Sequence, residues 1–318
     1  MDESITLREP APAGPTTPAA AAVSGSPKVT PTVVPIGPGI GAEVRGIDLV
    51  GAVDDETLAV LRRALDEHAV IVLRGQDLTP AQQTAFAQRL GELRVSFYNR
   101  YAVPGQPELS VVSNIKNEEG VAIGIEDAGM LWHTDGSYLK SPDMYTVLYG
   151  LQIPHRADGT ALGNTLFTNT SQAYETLPEA TKKRIAGMKA THSFVHHLEK
   201  KRSLGNLKRA PLTEAQKNEL PDVDHPIVRT HPRTGKPCLF VTEGHTSAVA
   251  GLSQDESDQL LNELWTHLKN PAFHYAHSWR KGDLIVWDNC AVHHLAVFDY
   301  GATPRRLHRA GLLGGVPV

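Results

Sequence analysis

Four short apolar runs, Met144–Tyr149, Leu166–Thr168, Cys238–Thr242 and Leu284–Trp287, constrain this chain most strongly. Each is of strand length, is bounded by turn residues and lies far from most of the others. Strands of that length, separated by long connections and framed by a few helices, suit a jelly-roll or similar double-sheet barrel. The expected class is therefore mixed α+β, mainly β, with flanking helices. No internal repeat of fixed period is visible.

The framing helices carry their own signals. Asp55-Glu56-Thr57 opens a helix with Leu58, Leu61 and Leu65 on one face, and Ala69–Leu73 follows as a buried strand. Thr79 with Gln82, and Ser253 with Glu256, are capping-box patterns that open two more helices. The ordered part thus reads as starting with helices and then turning to strands. Residues 1–28, almost entirely Ala, Pro, Thr, Ser and Gly, cannot offset their ordering entropy and read as a flexible tail. Asp2, Glu3 and four interrupting prolines exclude a secretory signal there. One domain is expected over 29–318.

Composition narrows the partners. A net charge of −4 over 318 residues gives no electrostatic argument for nucleic acid. No run of 18 apolar residues occurs, so no membrane helix is expected. Two cysteines, Cys238 and Cys290, make no disulfide framework, which fits a cytoplasmic protein. A homo-oligomer is compatible with all of this. The surplus lies in histidine, at 15 residues, and histidine is the commonest metal ligand.

Trp132-His133-Thr134-Asp135 is the first informative stretch. On an extended strand residues two apart share a face, which would set the His133 imidazole beside the Asp135 carboxylate. Alone, this reads more readily as a hydrogen-bonded pair at a strand end. Much later, Gly282–Asn289 is a buried strand running into a turn, followed by Ala291-Val292-His293-His294. A histidine from there would complete two histidines and one carboxylate on one face of a metal, the open facial set of non-haem Fe(II) oxygenases. Arg305 and Arg309 follow in an apolar C-terminal segment, and two guanidinium forks near such a site suit a dicarboxylate co-substrate.

The WHTD stretch, Gly163–Phe167 (GNTLF), the GDLIVWDN run, the later histidine and the closing RRLHRAGLLG together resemble the TauD/TfdA family of Fe(II)/2-oxoglutarate-dependent dioxygenases. The similarity in order and spacing runs from about Pro35 to Gly315. It implies a double-stranded β-helix (cupin-like jelly roll) with His133, Asp135 and His294 as iron ligands and catalytic centre, and with 2-oxoglutarate and O2 as co-substrates. Family spacing selects His294 over His293, which is then expected to point outward or to sit behind the ligand. Thr165 and Arg305 match the positions that hold the distal carboxylate of 2-oxoglutarate. Arg309 matches a more widely shared arginine, near the proximal carboxylate or an anionic substrate group. Asp135 stands where related halogenases carry a small residue, so the resemblance implies hydroxylation or another oxygen-driven outcome.

On the substrate side, the stretch Ser96–Tyr101 lacks the histidine that taurine dioxygenase uses for its sulfonate, which disfavours taurine. This stretch, Ser113-Asn114 and the long connection before WHTD look closer to members acting in natural-product pathways. Tyr98, Tyr101 and Asn114 are the candidate pocket residues. The basic segment from His192 to Arg209 reads as a solvated face or, more sharply, as a lid whose Lys200, Lys201 or Arg202 meets an anionic substrate. The expected function is oxidation of a small, anionic organic molecule, by hydroxylation or desaturation, with release of succinate and CO2, in secondary metabolism or catabolism. A zinc hydrolase with the same ligands, or a non-catalytic jelly-roll binding protein, are the alternatives.

Overall fold

A computed structural model describes residues 30–37, 39–95, 99–205 and 212–318. The expected tail at 1–28 and the candidate Tyr98 lie outside the described residues, as do positions 206–209 of the basic segment. The fold is mixed α/β and mostly sheet, with few helices.

A nine-stranded sheet draws on both ends of the chain. Its order is Thr32–Pro35, Ala42–Arg45, Val70–Leu73, Leu284–Asp288, Asp143–Gln152, Arg306–Leu313, Gln106–Ser113 and Ala102–Val103, with Leu93–Arg94 also paired to Arg306–Leu313. All pairings are antiparallel except that of Ala42–Arg45 with Val70–Leu73. Two strands therefore precede the first helix, contrary to the expectation of helices first. They are four residues long and the first is only half-buried, so they carry little apolar signal.

Alternation along the central strands gives the sheet two faces. Tyr145, Val147, Tyr149, Leu284, Val286, Ala310 and Leu312 pack with Leu58, Leu61, Leu65, Phe86 and Leu90 of the two helices Asp55–His68 and Pro80–Leu90. On the other face, Val70, Val72, Leu148, Ile285, Trp287 and Leu307 meet Phe167, Tyr275 and Val292 of a second, three-stranded sheet. That sheet is ordered His274–His277, Thr165–Asn169, Val292–Ala296. Being covered on both faces, the central strands show runs that are almost continuously apolar, which is why they were legible.

Register fixes what reaches the space between the sheets. Leu148 pairs with Ile285 on one side and Arg309 on the other, and Thr146 pairs with Trp287 and Gly311. Arg309 and Thr146 thus point inward from neighbouring strands, towards the mouth between the sheets.

Residues 170–273 form a third unit, inserted between two strands of the smaller sheet. Its core joins Ala173, Leu177, Ile185 and Leu239 to Leu260, Leu261, Leu264 and Leu268 of helix Gln254–Leu268. The apolar run at 238–242 belongs here: only Pro237–Leu239 is strand, paired with Val228–Thr230. It therefore builds the covering unit and not the facing sheets. Both expected capping boxes are present, at Thr79–Gln82 and Ser253–Glu256. Among the described residues no helix is long and apolar enough to cross a membrane.

The helix layer buttresses the sheet that carries Thr146 and Arg309. Replacing the buried Phe86 by alanine should lower unfolding free energy by about 3–5 kcal/mol in urea denaturation; a loss below about 1 kcal/mol would show that the layer is dispensable.

Candidate active site

The smaller sheet ends on a single-residue extension. His133 N–H donates to His294 O at 3.1 Å and His294 N–H donates to His133 O at 2.7 Å. This reciprocal pair brings two imidazoles together, with ring centroids 4.1 Å apart and planes tilted by 42°. His133 Nδ1 lies 2.9 Å from Leu131 O, and because a carbonyl can only accept, the ring proton sits there and Nε2 is left as a donor atom. The His133 Nε2 to Asp135 Oδ1 distance is 3.6 Å, and His294 Nε2 is 3.9 Å from Asp135 Oδ2. One ligand atom from each of the three residues falls within 4.8 Å of the others. The expected juxtaposition is met, but not by strand alternation: the chain leaves His133 directly into a turn that begins at Asp135.

A buried network holds the Asp135 carboxylate. Thr146 Oγ1 donates to its Oδ2 at 2.6 Å, and Asn289 Nδ2 donates to that same hydroxyl at 3.0 Å. Asn289 Oδ1 accepts from Trp287 Nε1 at 3.0 Å and from Asp135 N–H at 3.2 Å. Arg309 Nη2 sits 3.0 Å from Asp135 Oδ2 and 3.1 Å from Asp143 Oδ2. Asp143 is shared with Arg94 Nε at 2.5 Å. Gly311 is required beside this cluster, since a Cβ there would come within 2.5 Å of Asp143 Oδ2. Thr146, Asn289, Asp143 and Arg94 were not singled out from sequence. Thr146 did leave a trace, as the one small hydroxyl in an otherwise apolar run.

Electrostatics puts two of the donors, Asp135 and His294, in the state a divalent metal needs. Burial would raise the Asp135 carboxyl, but the Arg309 guanidinium beside it holds it well below the usual carboxylate range. Burial, with His133 beside it, pushes His294 well below the ordinary imidazole range, so its ring is neutral. The residues fit a metal of the Fe(II) type. A second cluster, His231, Asp288 and Cys290, does not. His231 Nδ1 accepts from the N–H groups of Arg233 and Thr234, which puts its proton on Nε2, and that proton is given to Asp288 Oδ2 at 2.8 Å. Burial also pushes the Cys290 thiol up.

Of the remaining candidates, Thr165 and Arg305 share a buried wall. Arg305 Nη2 donates to Gly163 O at 3.0 Å, while its buried Nε makes no hydrogen bond. Gly163, at φ +72°, has to be glycine, because a Cβ would lie 2.6 Å from that Nε. Thr165 Oγ1, two residues on, accepts from Trp279 Nε1 at 3.0 Å. Asn114 is placed differently from expectation. Its amide donates to Gly301 O and Thr303 O and accepts from Arg305 N–H, so it fixes the approach to the C-terminal strand. Tyr101 lies under the Arg100 guanidinium, 4.5 Å from it, and does not line the cavity described next. His293 is not outward-facing: it is buried under the inserted unit, beside Trp132, Thr168 and Trp265.

A cavity of about 150 Å³ is lined by His133, Asp135 and Arg309 together with Tyr138, His197, Lys201 and His245. Lys201 belongs to helix Phe194–Ser203 and pairs with Asp127 Oδ2 at 2.5 Å. Lys200 turns away, donating to Glu243 O at 2.8 Å with its ammonium over the Trp265 ring. Neither Lys200 nor Arg202 lines the cavity, so the basic segment offers one cavity residue of the three expected. His245 had no spacing signature that could have revealed it.

Residues 32–310 match the family model described as taurine catabolism dioxygenase TauD, TfdA family. The alpha-ketoglutarate-dependent 2,4-dichlorophenoxyacetate dioxygenase of Burkholderia sp. (strain RASC) is 34% identical over 283 residues, covering 86% of this chain and 91% of that protein. Pentalenolactone F synthase of Streptomyces arenae is 32% identical over 276 residues, covering 84% and 90%. Among solved structures, a putative alpha-ketoglutarate-dependent taurine dioxygenase from Burkholderia xenovorans superposes with a TM-score of 0.75 at 30% identity, covering 91% and 94%.

Replacing Thr146 by valine or Asn289 by alanine should weaken Mn(II) binding about 10–100-fold in calorimetric titrations, because each removes a support of a ligand carboxylate. Changing His231 to glutamine should leave Mn(II) affinity within twofold. The reverse pattern would move the metal to the second cluster.

Proposed function

Since the chain belongs to the TauD/TfdA family of 2-oxoglutarate-dependent dioxygenases, we propose that His133, Asp135 and His294 hold its iron and that the cavity beside them receives a small, carboxylate-bearing substrate. The protein is an oxidoreductase whose family uses Fe(II), 2-oxoglutarate and O2. Membership sets aside the zinc hydrolase and the non-catalytic binding module. The two facing sheets support the double-stranded β-helix reading of the core, and we take 29–318 as one catalytic domain. The free, buried cysteines fit a cytoplasmic setting.

The observation that carries the proposal is the convergence of two imidazole nitrogens and one ionised carboxylate within 4.8 Å, with His133 and Asp135 of that set lining the cavity. When bound, Fe(II) and 2-oxoglutarate would, with O2 as the oxidant, supply an oxidative decarboxylation to succinate and CO2 coupled to oxidation of a substrate C–H bond. The chain supplies orientation and a shielded site. Thr146 and Asn289 keep the Asp135 carboxylate aimed at the two histidines. Arg305, buried and with an unused Nε, is suited to the distal carboxylate of 2-oxoglutarate, with the Thr165 hydroxyl on the same wall. Arg309, at the cavity, faces the proximal carboxylate or the anionic group of the substrate. The 2,4-dichlorophenoxyacetate dioxygenase and pentalenolactone F synthase relatives support a catabolic or secondary-metabolic role, with hydroxylation or desaturation as the outcome.

Succinate formation from 2-oxoglutarate by the Fe(II)-loaded protein is the test. His294→Ala should abolish it. Arg305→Gln should raise the KM for 2-oxoglutarate by at least about 10-fold, the loss expected when a buried charge-assisted pair is broken. Full succinate formation by His294→Ala would overturn the ligand assignment.

A further inference from the structure

One wall of the cavity is left unused by the iron ligands and by the arginines. It consists of helix Phe194–Ser203 and the turn at Gly244-His245. Gly244 ties this wall to the metal ligands: its N–H donates to Trp132 O at 3.0 Å, one residue before His133. Its carbonyl lies 2.9 Å from His197 Nδ1. A carbonyl oxygen accepts only, so the His197 proton resides on Nδ1. Burial, with the Lys201 ammonium nearby, pushes the His197 imidazole down to about 3, which keeps the ring neutral. Its Nε2 is therefore a lone pair on a ring that lines the cavity.

The ring is also held in place. His245 stacks on it at 4.3 Å between centroids and 16° between planes, and lies 6.0 Å from the His133 ring. Lys201 directs two of its ammonium hydrogens to the carboxylate and the carbonyl of Asp127, which draws its charge towards that residue. Tyr138, against Phe194 at 4.8 Å and His245 at 5.2 Å, makes the rest of this wall aromatic.

Resting on the functional reading above, we infer that His197 is a specificity residue which accepts a hydrogen bond, so that the substrate is a small carboxylate that also carries an N–H or O–H donor. A neutral, fixed acceptor discriminates strongly, because an analogue without the donor leaves a desolvated lone pair unmatched. An unfunctionalised acid of the same size is then a poor ligand.

Anaerobic calorimetry on the protein loaded with Fe(II) and 2-oxoglutarate tests this with three matched probes, butanoate, 3-hydroxybutanoate and 3-aminobutanoate. At least one donor-bearing probe should bind about 10-fold or more tightly than butanoate. His197→Phe should erase that preference, and His197→Gln, whose amide oxygen is again an acceptor, should restore part of it. Equal affinities in the wild type, including no binding of any probe, overturn the inference, as does a preference that survives in His197→Phe. Titration of 2-oxoglutarate is run first on every variant. Its failure in the wild type would count against the functional reading, while a donor preference that depends on His197 with Fe(II) alone would leave the inference standing.

Discussion

The reciprocal backbone hydrogen bonds between His133 and His294 are the interaction on which the site depends. They join residues 161 positions apart in the chain, and each carries its imidazole to the same point by main-chain geometry instead of by long, mobile side chains. Everything else is arranged around that junction. The strand Val292–Ala296 is fixed by pairing with Thr165–Asn169, and the WHTD turn is fixed from below by Asn289. The candidate ligands are consequently held mainly by the two facing sheets, with the inserted unit touching them through the Gly244 N–H to Trp132 O bond.

Charge is organised with the same economy. Two buried carboxylates, Asp135 and Asp143, share one guanidinium, Arg309, and Arg94 completes the pairing of Asp143. Burial raises the Asp143 carboxyl while Asp135 stays ionised, so the two acids divide into a structural partner and a candidate ligand. Taking one partner out of such a group leaves an uncompensated buried charge, typically a loss of about 3–5 kcal/mol. The coupling of Arg309 to Asp135 means that the cavity cation and the ligand set are parts of one electrostatic unit.

How much of this was legible depends on which physical signal each residue emits. Met144–Tyr149 and Leu284–Trp287 announced themselves because strands covered on both faces are apolar almost throughout. Thr32–Pro35 and Ala42–Arg45 did not, being four residues long at the edge of the sheet. The candidate ligands were legible through the family resemblance, which rests on order and spacing along the chain, although the juxtaposition of His133 with Asp135 comes from a turn. Thr146 and Asn289 act through contacts between distant segments, which no local pattern reports. His197 and His245 belong to an inserted unit whose path over the cavity is set by its own core, so their meeting with His133 could be seen only in three dimensions. The same cause explains Asn114 and His293: one is engaged by the 301–305 loop, the other is covered by residues 170–273.

The decisive observable is where iron binds. Anomalous diffraction at the iron edge, from crystals grown anaerobically with Fe(II) and 2-oxoglutarate, locates it without reference to turnover. A single peak bonded to His133 Nε2, His294 Nε2 and an Asp135 oxygen, with 2-oxoglutarate reaching towards Arg305, is the expected result. A peak at His231, Asp288 and Cys290, or iron bound without Asp135, would contradict it.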